Sequence, residues 1–173
     1  MTKQGVVKGG LEHFAPGEGM AWGGFLRVHA TLIRRLDAEL QAVHGMPLLS
    51  YEVLLHLHWA PEHRMRMSDL AESVVLSLSG VSRLVDRLVQ EGLVSRERAC
   101  EDRRGNYAVL TEIGVARLRE AHATHLAGVR RYFLHHFSET EQATLGDFWS
   151  RLLHAATNDD EGSSEQCDTG SVG

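Results

Sequence analysis

The chain has 173 residues and a formal net charge of −5, and 43% of its residues are hydrophobic and 24% charged. These values are typical of one soluble globular domain with its own core, and the acidic balance disfavours a protein that coats nucleic acid nonspecifically. No apolar run is long enough to span a membrane, and the N-terminus lacks the pattern of a secretory signal. We therefore expect a cytoplasmic protein without a membrane partner.

The first predicted elements are an N-terminal arm and a long helix. Residues 1–19 hold five glycines and show no periodicity, which favours a flexible arm. From Met20 an apolar stripe at helical spacing predicts a helix that ends near Gly45. The stripe consists of Trp22, Phe25, Leu26, His29, Leu32, Ile33, Leu36 and Leu40.

A second helix and a short extended segment are predicted next. Ser50 is the expected N-cap of this helix, and Pro61 is expected to end it. Residues 63–67 form an extended segment that we expect to pair with a strand further along the chain.

Two helices separated by a tight turn follow. Ser68 is the expected cap of a short helix, and Ser77 caps a longer one that should stop at Gly92. The longer helix has apolar side chains at the i, i+3, i+4, i+7 spacing, which are Val81, Leu84, Val85, Leu88 and Val89. Its other face carries Ser79, Ser82, Arg83, Asp86, Arg87 and Gln90. This order is the helix-turn-helix arrangement.

The periodicity changes after this helix. Residues 93–99 alternate like a strand, residues 100–106 form a polar turn with Arg103 and Arg104, and residues 107–110 are again β-prone. A helix fits the major groove of DNA, and an arginine-tipped ribbon suits the negative potential of the minor groove. The pattern indicates a recognition helix followed by a β-wing. On the residues alone, the alternative is that the arginines form only a solvated charged face.

The predicted wing carries a specific signature. Residues 102–111 read DRRGNYAVLT, which is an Asp, any residue, an Arg, five residues and then Leu-Thr. This run resembles the wing of the MarR family of bacterial regulators, residues 80–88 resemble its recognition helix, and the resemblance covers residues 24–156. It implies a dimeric winged helix-turn-helix regulator in which Arg104 enters the minor groove and Asp102 orients the wing arginines. The residues implied to line the major-groove helix are Ser77, Ser79, Ser82, Arg83 and Arg87.

The C-terminal part of the chain is predicted to be helical. Thr111 is the expected cap of a long helix, and Ser138 with Glu141 forms a capping box before the last one. From residue 158 the chain is acidic and rich in Ser and Gly, a composition that does not bury enough apolar surface to fold. The helices at both ends are more apolar than a DNA-reading unit needs, which favours a homodimer interface, as the resemblance also implies.

We therefore predict a mainly α fold with a small β-wing, an α+β winged helix-turn-helix with a helical dimerisation region from both chain ends. The predicted segments are a flexible arm at 1–19, a dimerisation helix at 20–49, a DNA-binding region at 50–111, dimerisation helices at 112–157 and a disordered acidic tail at 158–173. The predicted function is a sequence-specific regulator, a repressor, that binds a palindromic operator in double-stranded DNA as a homodimer.

The resemblance also implies a small aromatic or anionic effector, bound between the dimer helices and the DNA-reading region. The candidate residues are His29, Trp59 and His122, because each falls on or near an apolar stripe and carries a polar group. Ordinary packing also explains all three.

Other functions remain as alternatives, and no cofactor is expected. Zinc is one alternative, since His122 and His125 are three apart on one helix, but a closed zinc site usually needs four ligands. A redox-responsive regulator is another, because Cys100 has basic neighbours that favour the thiolate. A helical protein-interaction module would explain the apolar helices but not the wing. The chain has no Gly-rich phosphate loop, nucleophile elbow or metalloprotease spacing, so an enzyme is not expected.

Overall fold

A computed structural model describes residues 14–98 and 106–164, with side chains described at 14–97 and 106–155. The chain divides into two compact units, residues 1–126 and 127–173. The first unit contains the sheet and most of the buried core. The second begins inside the fifth helix.

Helix α1 (Pro16–His44) begins before the predicted start at Met20. Proline is well accommodated at the first helical position, where its missing N–H would have had no helical partner. The N–H of Ala15 donates a hydrogen bond to Glu18 Oε2 at 2.8 Å. The helix ends as predicted at Gly45, whose φ of 60° is the left-handed conformation that glycine adopts readily. The rest of the predicted N-terminal arm, residues 1–13, lies outside the described residues.

The apolar stripe of α1 is buried only at its C-terminal half. Leu36 and Leu40 lie in the core, whereas Trp22 near the start of the helix is 52% exposed. Phe25 and Leu26 are also exposed. A stripe of this kind is buried within the chain at one end and faces outward at the other.

The predicted cap of the second helix was wrong. Helix α2 (Leu48–Trp59) begins directly after Pro47, so Ser50 falls inside its first turn and is buried. The N–H of Leu48 donates instead to Asp37 Oδ1 at 2.8 Å. This acceptor comes from α1, so the nearby sequence of α2 did not reveal it.

The predicted cap of the third helix was also wrong. Strand β1 (Arg64–Arg66) runs directly into helix α3 (Met67–Ser73), which places Ser68 inside the first turn. The Ser68 hydroxyl donates to Asp69 Oδ1 at 2.9 Å rather than accepting from the backbone.

Helix α4 (Leu78–Gln90) begins and ends where the sequence predicts. Ser77 Oγ accepts the N–H of Gly80 at 3.2 Å, and Gly92 has a φ of 73° where the chain turns away. The turn before α4 is tight, because Val75 has a φ of 52° and the N–H of Leu76 donates to the carbonyl of Ala71 at 3.0 Å. A positive φ is unusual for a β-branched residue. These contacts confirm the helix-turn-helix arrangement.

Two further strands, β2 (Val94–Arg98) and β3 (Asn106–Leu110), complete a three-stranded antiparallel sheet of order β1-β3-β2. Val94 pairs with Leu110 at the base of the hairpin. Arg64 pairs with Val109, which confirms that the extended segment at 63–67 contributes a strand to the wing sheet.

One threonine joins the wing to helix α5 (Glu112–Tyr132). Thr111 Oγ1 donates to the carbonyls of Gly92 at 2.8 Å and Leu93 at 3.1 Å, and accepts the N–H of Gly114 at 3.0 Å. Thr111 is therefore the predicted helix cap and also an anchor for the chain that leaves α4. The approach is so close that a Cβ on Gly114 would lie 2.1 Å from the carbonyl oxygen of Leu93.

The core of the first unit combines the sheet with α1, α2, α3, α4 and the first part of α5. Its most fully buried large side chains are Tyr51, Leu40, Leu54, Leu57, Leu70, Leu88, Val53, Val81, Val85 and Val94. The structure confirms the mainly α fold with a small β-wing. Over the described residues, none of the helices combines the length and apolar character needed to cross a membrane.

The second unit contains the end of α5, a short 3₁₀ turn (Leu134–His136) and helix α6 (Glu139–Ser164). The predicted capping box is present, since Glu141 Oε2 accepts the N–H of Ser138 at 2.8 Å. This bonding lowers the pKa of the Glu141 carboxyl. The backbone of α6 continues to Ser164, beyond the expected start of the tail at residue 158, and residues 165–173 lie outside the described range. Phe148 and Leu152 are exposed on this helix.

Candidate nucleic-acid interface

Helix α4 presents one apolar and one polar face. Val81, Leu84, Val85 and Leu88 are buried against the rest of the first unit. The opposite face is therefore directed to solvent, which is the orientation that a groove-reading helix requires.

The structure places the predicted residues of α4 along this solvent face. Ser77 and Ser79 are exposed at the N-terminal end, and their hydroxyl oxygens lie 3.2 Å apart. Arg83 and Arg87 are exposed one and two turns further along. Arg83 Nε donates to the carbonyl of Ser79 at 3.3 Å, which directs its side chain along the helix toward the N-terminal end. The predicted wing residues Asp102, Arg103 and Arg104 lie outside the described residues.

The fifth predicted residue of α4, Ser82, contacts the wing. It is half-buried, and its hydroxyl and carbonyl oxygens accept bonds from Arg96 Nη2 at 3.0 and 3.2 Å. The same nitrogen lies 2.8 Å from Asp86 Oδ1. Arg96 thus links strand β2 to α4 and offsets the charge of Asp86, which leaves the solvent face of α4 positive.

Arg96 was not among the site residues predicted from the sequence. The relevant signal was the alternation of β2, because Arg96 is two residues from the buried Val94 and therefore shares its face of the sheet. That face of the sheet lies against α4, so the guanidinium of Arg96 contacts the carboxylate of Asp86.

Two of the three candidate effector residues line a common cavity. Trp59 and His122 border a cavity of about 200 Å³ together with Leu55, His58, Leu118 and Arg119. His29 is exposed on α1 and does not line it. Its charge acts on Glu52 of α2, whose pKa is raised by burial and lowered in part by His56 and His29.

Tyr51 contacts His122, one of the residues that line this cavity, and the neighbouring His125. Its hydroxyl oxygen lies 2.8 Å from His122 Nδ1, and its ring centroid lies 4.4 Å from that of His125. Burial, with a smaller contribution from Glu52, raises the pKa of Tyr51 to about 12, so the phenol keeps its proton. Burial and the nearby His122 lower the pKa of His125, which favours the neutral ring.

His58, one of the residues that line the cavity, has a buried polar atom without a partner in the described part of the chain. Nδ1 of His58 is buried and has no hydrogen-bond partner among the described residues. The His58 ring stacks on His63 at a centroid distance of 5.1 Å. A buried polar atom without a partner lowers the stability of the fold.

The zinc alternative rests on His122 and His125, and the redox alternative on Cys100. Within residues 14–98 and 106–164, no three His, Cys, Asp or Glu side chains are grouped so as to hold a metal ion. Cys100 and Cys167 lie outside the described residues.

Comparisons with known proteins agree with this arrangement. A sequence model of the MarR family matches residues 44–105. The MarR family transcriptional regulator AbsC of Streptomyces coelicolor is 32% identical, with 86% of this chain and 99% of that chain covered and a TM-score of 0.78. Sco3205, a MarR family regulator of the same organism solved in complex with DNA, is 30% identical over 83% of this chain and 94% of its own, with a TM-score of 0.78. The transcriptional repressor YetL of Bacillus subtilis (strain 168) is 29% identical over 115 residues, which is 64% of this chain and 68% of that protein. The chain belongs to the MarR family of transcriptional regulators.

Proposed function

We propose that this protein is a sequence-specific regulator that binds double-stranded DNA as a homodimer. The observation that carries this proposal is the solvent face of α4, where Arg83 and Arg87 are exposed and Asp86 is paired with Arg96. An exposed basic helix face beside a two-stranded wing suits the major groove and its adjacent phosphates. The DNA complex of the relative Sco3205 supports the same assignment.

Binding to duplexes selected from a random pool tests the proposal directly. The wild type should enrich a palindromic site, and its affinity should fall steeply as salt rises because counterions are released from phosphates. Arg83→Ala should weaken binding to the selected site about ten-fold or more, whereas Arg34→Ala, an exposed arginine of α1, should not. A failure to enrich any sequence would contradict the proposed function.

The wing residues form a separate part of the proposal. By the family signature, Arg104 enters the minor groove, with Arg103 beside it and Asp102 orienting both. Arg104→Ala should weaken operator binding and reduce the salt slope by about one unit, while the melting temperature stays close to that of the wild type. Unchanged affinity across a salt range would remove the wing from the proposed interface.

Exposed apolar side chains on α1 and α6 support the homodimer. Trp22 and Leu26 face outward from α1, and Phe148 and Leu152 from α6, with Leu152 62% exposed. Large apolar surfaces on a soluble protein usually mark an interface. Sedimentation should show a species of twice the chain mass, and Leu152→Glu should shift it toward the monomer. Gln90→Glu, at an exposed position at the end of α4 and outside the predicted dimerisation helices, serves as the control.

The direction of regulation is proposed to be repression, which the names of two matched relatives, YetL and MdtR, support. A reporter driven by a promoter that contains the selected site should be silenced by the wild type and released by Arg83→Ala. Activation of the reporter by the wild type would contradict this direction.

The cavity at Trp59 and His122 supports release by a small anionic aromatic effector. Leu55, Leu118 and the Trp59 ring offer apolar walls, while Arg119 offers a positive charge. Salicylate is a suitable probe, since it should raise the melting temperature by mass action and weaken the operator complex.

Two substitutions separate this cavity from other surfaces. His122→Ala should abolish both effects of salicylate, whereas His29→Ala should keep them because His29 does not line the cavity. If both variants respond like the wild type, the effector does not act through this cavity.

A further inference from the structure

The first residue of α4 is an exposed leucine that the core does not use. Leu78 is 58% exposed, although Val81, one turn later on the same helix, is fully buried. Leu78 therefore lies one turn before the first buried residue of the apolar stripe of α4, outside the core. A leucine there has an apolar side chain in contact with water at the tip of the candidate recognition helix.

Leu78 is part of a small apolar patch. It borders an open depression of about 590 Å³ together with Ser68, Ala71, Glu72, Val75 and Leu76. Val75, on the tight turn, is 90% exposed. The patch thus joins the tip of α4 to the turn, and Ser68 and Glu72 are the polar residues at its border.

The neighbouring hydroxyls are already engaged in the helix cap. Ser77 Oγ accepts the N–H of Gly80 at 3.2 Å and lies 3.2 Å from Ser79 Oγ. The first turn of α4 therefore presents capped hydroxyls and one free apolar side chain. The first turn of a recognition helix is also the part that reaches base edges.

We propose that Leu78 reads a thymine in each half-site by packing on its 5-methyl group. The 5-methyl of thymine is the apolar group that base pairs display in the major groove, and apolar side chains recognise it by contact. Contact between Leu78 and the methyl group removes both from water, which favours binding. The exposed leucine then has a function in DNA recognition, since it has none in the core. This inference rests on the proposed DNA binding and adds a base to its specificity.

Deoxyuridine scanning of the selected duplex tests the inference. Each thymine is replaced in turn by deoxyuridine, which removes the methyl and preserves base pairing. For the wild type, one symmetric pair of positions should lose about four-fold in affinity per half-site, as expected for one buried methyl group. Leu78→Ala should bind more weakly and should no longer respond to deoxyuridine at those positions.

Three comparisons keep the result interpretable. Leu78→Met retains an apolar side chain and should keep the response. Val43→Ala removes an exposed apolar side chain of α1 and should leave the whole scan unchanged. Melting temperatures close to the wild type establish that each variant is folded.

The outcomes separate this inference from the proposed function. A wild-type scan without any sensitive position, or an unchanged scan in Leu78→Ala, overturns the role of Leu78 while DNA binding stands. Absence of sequence-specific binding by the wild type overturns the proposed function and the inference with it.

Discussion

Gly114 should tolerate no side chain. The Cβ of an alanine there would lie 2.1 Å from the carbonyl oxygen of Leu93 and 2.7 Å from Leu110 Cδ1. Ordinary contacts between carbon and oxygen are about 3.3 Å or longer, so the start of α5 and the base of the wing must separate by about 1 Å. Because the closest atom belongs to the backbone, a change of rotamer does not relieve the contact.

The expected cost follows from this geometry. Overpacking of a fitted interior costs about 1–3 kcal/mol, and a clash with backbone places Gly114→Ala at the upper end of that range. For a chain of this size, each kcal/mol lowers the melting temperature by about 2–4 °C. We therefore expect Gly114→Ala to melt about 6–12 °C below the wild type.

A second glycine provides the control. Gly146 lies within α6, is exposed, and has no atom within 4 Å of its added Cβ. Gly146→Ala should therefore stabilise the helix by roughly 0.5–1 kcal/mol through its better helix propensity. Both variants would be melted at one protein concentration and followed by circular dichroism. A Gly114→Ala protein that melts at or above the wild-type temperature would refute the close approach of α5 to the wing.

Three further predictions concern the wing, the cap of α4 and pH. Arg96→Ala should lower stability by at most about 1 kcal/mol, because the ion pair of Arg96 with Asp86 is partly exposed. The same substitution should raise the Kd for the operator several-fold, whereas Arg64→Ala, on β1, should change this Kd less. Ser77→Ala should cost about 1 kcal/mol in denaturant unfolding, since the N–H of Gly80 loses its acceptor, and an unchanged midpoint would argue against the cap. Burial and the nearby His122 hold the pKa of His125 below 6.5. The neutral ring therefore contributes fully to stability above pH 6.5, and this contribution is lost as the pH falls through the lowered pKa. Melting temperatures across this range should fall less in His125→Gln than in the wild type, and parallel curves would contradict that role.

Local patterns predicted the helices and strands well where local interactions decide them. The predicted stripe of α4 is buried from Val81 to Leu88, although its last member, Val89, is 37% exposed. The caps at Ser77 and Thr111 bond neighbours within three residues. Ser50 and Ser68 were misjudged for the opposite reason. Asp37 of the preceding helix bonds the start of α2, and a strand that ends at Arg66 sets the start of α3.

The candidate sites show the same limit. The polar face of α4 was visible in its periodicity, but the bond from Arg96 to Ser82 depends on the position of a strand after the helix. Trp59 and His122 meet at one cavity because α2 packs near α5, whereas His29 does not line it. The requirement for glycine at position 114 was also invisible, since it depends on the carbonyl of Leu93 on another segment.

The pairing of the wing strands decides which residue of β2 reaches α4. Val94 pairs with Leu110 at one end of the hairpin and Arg98 with Asn106 at the other, and burial of alternate residues of β3 holds this register. A slip of one residue would turn Arg96 to the opposite face of the sheet, away from Ser82 and Asp86. The register of the hairpin therefore sets the link between the sheet and α4, so a substitution on either strand that moved the register would also release this helix.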